Sequence, residues 1–81
     1  MADILEQIYN TLKENGIYAE EYWQDKELPN VYYITIDGDW KHSHLFADHL
    51  MKGLSLNKIG EKDLVEDGSD WYQSTHTYIL C

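Results

Sequence analysis

The sequence predicts an α+β fold in the order α-β-β-α-β-β, a four-stranded, mainly antiparallel sheet with two helices on one face. Two amphipathic segments, near residues 3–15 and 43–54, each run up to a glycine, Gly16 and Gly53. Each is followed by two stretches rich in β-branched and aromatic residues. With 81 residues the chain sits below the usual domain size, so one core and one domain, residues 1–81, are expected. A hydrophobic share of 43% and an aromatic share of 14% favour folding, although a net charge of −9 opposes compaction.

Asp3 and Glu6 have capping-box spacing. Ile4, Leu5, Ile8, Tyr9 and Leu12 then share one helical arc, with Glu6, Gln7, Asn10, Lys13 and Glu14 opposite. This first helix ends near Asn15, and Gly16 supplies the left-handed residue beyond it. Residues 17–24 read as a strand, and the Asp25-Lys26-Glu27-Leu28-Pro29-Asn30 segment as a turn-like break. Val31-Tyr32-Tyr33-Ile34-Thr35-Ile36 is the strongest strand pattern, ending at Asp37-Gly38. The second helix starts at Asp39 or Ser43, with Ser43, Phe46, Ala47, Leu50, Met51 and Leu54 on one face and Gly53 as its stop. Residues 56–66 form a weaker, edge-like strand, Asp67-Gly68-Ser69-Asp70 a hairpin loop, and residues 71–80 the last strand.

Adjacent hairpins and right-handed crossovers lead to strand order 1-2-4-3, which places the two more hydrophobic strands, 31–36 and 71–80, in the centre. That topology is a circular permutation of a ferredoxin-like sandwich, and no motif ties the sequence to a family.

All six basic residues are lysines. Without arginine the chain lacks the bidentate fork used for phosphate and guanine, and it has no basic footprint for nucleic acid or an anionic membrane. Direct nucleic-acid and membrane binding are therefore disfavoured, and a basic protein is the expected partner. The single cysteine, Cys81, excludes an internal disulfide and suits a reducing compartment. The opening Met1-Ala2-Asp3-Ile4 has neither a basic region nor a long apolar run, so a cytoplasmic location is expected.

The candidates for chemistry are sparse. His42, His44 and Asp48 are candidate metal ligands: His44 and Asp48 share a face if helical, His42 and His44 if extended. His42 and His49 lie about 10 Å apart along a helix, too far for one ion. The bland alternative is a set of surface or boundary histidines. His76, among Ser74, Thr75, Thr77 and Tyr78, reads as a structural histidine bonded across the sheet, because no orienting third group or oxyanion loop accompanies it. Asp37-Gly38-Asp39 and Asp67-Gly68-Ser69-Asp70 lack the calcium-loop pattern and read as turns. No cofactor motif is present.

The aromatics are the better clue. Tyr18, Tyr22, Trp23, Tyr32, Tyr33, Trp71, Tyr72 and Tyr78 fall on expected strands, and alternation turns about half away from the helices. With Tyr32, Ile34 and Ile36 in the core, Val31, Tyr33 and Thr35 point outward. The acid is also uneven: residues 1–39 hold nine carboxylates against Lys13 and Lys26. Together these predict a non-enzymatic binding protein that offers Glu20, Glu21, Trp23, Asp25, Glu27, Tyr33, Asp37 and Asp39 to a basic protein surface. Its concrete form is a nucleic-acid mimic that inhibits a DNA- or RNA-handling protein, a role that phage anti-restriction and anti-CRISPR proteins can fill. The competing expectations are a small His/Asp metal-binding protein or metal-dependent enzyme, and a self-associating module such as a homodimer.

Overall fold

Asp3 starts the first helix by accepting the Leu5 N–H on its Oδ1 at 3.1 Å, which satisfies one of the donors a helix leaves open at its N-terminus. The computed structural model describes residues 3–66 and 71–80. In it α1 spans Ile4–Glu14, and Gly16, at φ 76°, makes the left-handed exit that a side chain would resist. β1 covers Ala19–Gln24, β2 Val31–Asp39, α2 Phe46–Gly53, β3 Leu56–Glu66 and β4 Trp71–Leu80, with a π-helical segment, Trp40–Leu45, between β2 and α2.

The sheet is antiparallel in the order β1-β2-β4-β3. Two helices on a four-stranded sheet make an α+β fold, and the order is compatible with a permuted ferredoxin-like sandwich. Ile8 and Leu12 of α1 and Ala47 and Met51 of α2 pack with Tyr32, Ile34, Ile36, Leu56 and Tyr78 in one apolar cluster. Both helices therefore cover the face presented by the even-numbered residues of β2 and β4. The other face has no layer over it among the described residues. Tyr9 of α1 stacks on Tyr22 of β1, with centroids 5.3 Å apart.

Several expectations are corrected. Asp37-Gly38-Asp39 is not a turn: β2 continues through it because these residues pair with Gln73, Tyr72 and Trp71 of β4. Gly53 is the last residue of α2 rather than its left-handed stop, a position that Ser55 takes at φ 64°. The second helix begins as a π-helix, capped by the Asp39 carboxylate on the His42 N–H. Tyr18 precedes β1 rather than lying on it. The loop expected at Asp67-Gly68-Ser69-Asp70, and Cys81, lie outside the described residues. No helix among the described residues is long and apolar enough to cross a membrane.

Candidate functional site

Because side chains alternate along a strand, the residues of β2 and β4 that do not meet the helices line the uncovered face: Tyr33 and Thr35 on β2, Gln73, Thr75 and Thr77 on β4. A bulge at Ala19/Glu21 places Glu20 and Glu21 beside them, with Trp23 two residues on. Glu61 and Lys62 of β3 close the far side. The result is a trough of about 630 Å³ crossing all four strands. Trp23 and Tyr33, partners across β1 and β2, stack with centroids 5.2 Å apart and planes 17° from parallel. Trp23 keeps 40% of its surface open. The floor is tied by Thr35 and Thr75, whose hydroxyls meet at 3.0 Å, and by a hydrogen bond from the Gln73 amide to Glu20.

A second hollow of about 480 Å³ shares Trp23 and Tyr33 and continues over Gln24, Asp25, Lys26 and Glu27. Here Asp25 organises the β1–β2 loop. Its Oδ1 accepts the N–H groups of Glu27 and Leu28 at 2.8 and 2.9 Å, and its Oδ2 accepts the Tyr33 hydroxyl at 2.6 Å. The Tyr33 bond, followed by those from Leu28 and Glu27, holds the Asp25 carboxyl below its ordinary range and raises the Tyr33 hydroxyl in return.

Six of the eight residues expected on a binding face, Glu20, Glu21, Trp23, Asp25, Glu27 and Tyr33, thus line two adjoining hollows. Asp37 is exposed but outside both, and Asp39 caps the π-helix instead. Glu61, Lys62, Gln73, Thr75 and Thr77 complete the trough without having been expected there. The alternation Gln73, Thr75, Thr77 opposite Tyr78 was the signal that could have found the last three.

The histidines divide differently. His42 and His49 are exposed, whereas His44 is 1% and His76 0% exposed, so the boundary-histidine expectation fails for His44. The hydrogen bond of His76 runs to the π-helix rather than across the sheet, although Glu61, its cross-strand partner on β3, brings a carboxylate oxygen to 3.2 Å from its Nδ1. His76 sits on the helix-facing register with Ile34 as its β2 partner, and its Nε2 lies 2.8 Å from His44 Nδ1. The other nitrogen of His44 lies 3.2 Å from the Gly38 carbonyl oxygen. Both ring nitrogens of His44 are thereby engaged, and His42 is exposed while His44 is buried, so the expected His42, His44 and Asp48 set does not converge. Among the described residues no group of three His, Cys, Asp or Glu side chains is arranged to hold a metal ion.

Asp48 nevertheless belongs to a charged cluster under α2. Its Oδ1 accepts the Tyr78 hydroxyl at 2.5 Å, its Oδ2 lies 3.1 Å from Lys58 Nζ, and Lys58 also pairs with Glu61. Burial raises the Asp48 carboxyl, but His76, Tyr78 and Lys58 outweigh it and bring it down to about 2. Burial and the Asp48 contact push the Tyr78 hydroxyl well above its ordinary value. For Lys58 the two carboxylates outweigh burial and raise the ammonium.

No protein-family model matches this chain, and no curated protein or solved structure matches it.

Proposed function

We propose that the protein is a non-enzymatic binding module whose uncovered sheet face receives a basic protein surface. The observation that carries this reading is the Trp23–Tyr33 stack, set in a concave face among Glu20, Glu21, Asp25 and Glu27. Aromatic side chains with an open ring are the usual anchors of protein interfaces, and a lysine or arginine laid on such a ring gains a cation–π contact of about 0.5–2 kcal/mol. The surrounding carboxylates pair with the same cation and steer its approach. In its finer form the occupant is the lysine- and arginine-lined groove of a nucleic-acid-handling protein, with the carboxylates standing in for phosphates. The net charge of −9 and the absence of arginine support that form.

Titration of isotope-labelled protein with lysine- and arginine-rich peptides tests the reading by nuclear magnetic resonance. Saturable shifts centred on Trp23, Tyr33 and Thr75 are expected, weakening as salt rises. Trp23→Ala should lower affinity about thirtyfold, the size of a 2 kcal/mol anchor. Shifts spread evenly over every acidic residue, with no loss in Trp23→Ala, would rule the trough out.

A further inference from the structure

On the helix side of the sheet, four elements bring ionisable side chains together, and one of them, Glu61, also borders the trough. The π-helix contributes His44, α2 Asp48, β3 Lys58 and Glu61, and β4 His76 and Tyr78. β2 offers the Gly38 carbonyl, while His42 and His49 on the same helical stretch are exposed. The positions of the protons follow from what each partner is able to do.

A carbonyl oxygen only accepts, so His44 Nε2 carries a proton toward Gly38. The 2.8 Å separation of His44 Nδ1 and His76 Nε2 is a hydrogen bond only if one proton, neither none nor two, lies between them. The remaining nitrogen, His76 Nδ1, is fully buried, 3.2 Å from Glu61 Oε1 and 3.5 Å from Asp48 Oδ1, off the line of a hydrogen bond to either. Left bare, its lone pair would face two carboxylates in a low-dielectric site. Protonated, it forms an ion pair with both.

Three protons therefore serve four ring nitrogens, one more than two neutral imidazoles carry. With that surplus proton the cluster holds two positive charges, on the histidine pair and Lys58, against Asp48 and Glu61. We infer that the His44–His76 pair is a one-proton latch that fastens the π-helix and α2 to the sheet. Losing the surplus proton leaves the buried site with unbalanced carboxylates. Gaining a fourth sets two N–H donors and two cations against each other. Either change loosens the helical layer at its π-helical end, while α1, held by Ile8 and Leu12 in the apolar cluster, keeps its packing.

Nitrogen-15 spectra of the intact protein near neutral pH count the protons directly. Three ring N–H signals from His44 and His76 are expected. Two, or four, would overturn the inference. Amide exchange adds the mechanical readout. Beyond the intrinsic pH dependence, amides of residues 47–51 should exchange about tenfold faster on acidifying or alkalinising away from the three-proton state, with those of residues 8–12 little changed. Equal acceleration in both helices would overturn the latch. In Asp48→Asn, which removes one balancing charge, the ring N–H count should fall to two. A count still at three would show that the carboxylates do not hold the proton.

Discussion

At Asp48, burial and hydrogen bonding pull the carboxyl in opposite directions, and the donors prevail. The sign of the consequence is fixed: its folded value of about 2 lies below the ordinary 3.8, so its contribution to stability is present above 3.8 and lost as pH falls toward about 2. Urea denaturation over that acid interval should show a loss that is absent in Asp48→Asn. Tyr78→Phe removes the hydroxyl that donates to Asp48 at 2.5 Å. A hydrogen bond to a charged group contributes about 1.5–3 kcal/mol, so a loss near 2 kcal/mol is expected by urea denaturation, with a raised acid midpoint. At this scale the sequence was legible for Trp23 and Tyr33, whose alternation along paired strands decides their face. It was not legible for His44. Hydropathy counts an imidazole as polar, and its burial depends on a partner 32 residues away.

The turn after α2 carries a local cost that the sequence hid. Ser55 stands at φ 64°, where a Cβ crowds the backbone, so Ser55→Gly should raise stability by up to about 1 kcal/mol in thermal unfolding. The junction of β2 with the π-helix is tighter. A Cβ added at Gly38 would lie 2.8 Å from Ser43 Cβ, and the Gly38 carbonyl is also the acceptor for His44. Gly38→Ala should therefore cost about 1–3 kcal/mol and shift the His44 ring signals. Strand order, the edge character of β3 and the central place of β4 could all be read from the pattern of apolar runs and short connections. The extension of β2 through Asp37-Gly38-Asp39 could not, because Asp-Gly is turn chemistry until a long partner strand supplies hydrogen bonds. The π-helix also escaped, since a period of 3.6 residues leaves no place for an inserted one.

For the whole molecule, the two sides of the sheet have separate tasks. One buries the apolar cluster and the latch, and the other leaves the Trp23 ring open beside Tyr33 and between carboxylates. With −9 net charge on 81 residues, self-repulsion opposes compaction, and salt should relieve it. The melting temperature should rise as sodium chloride increases from about 10 mM to about 300 mM, where the Debye length falls well below the protein's width. A fall over that range would mean that the ion pairs of Lys58 outweigh the general repulsion. Binding to a basic peptide should move the other way, weakening with the same salt.

The buried imidazole pair also constrains how the chain can diverge. Replacing one histidine strands its neighbour among carboxylates, whereas exchanging both for apolar residues, with Asp48 and Glu61 neutralised alongside, removes the whole requirement. Positions 44, 48, 61 and 76 should therefore be inherited as a set, covarying between relatives across a sequence separation that no local pattern spans.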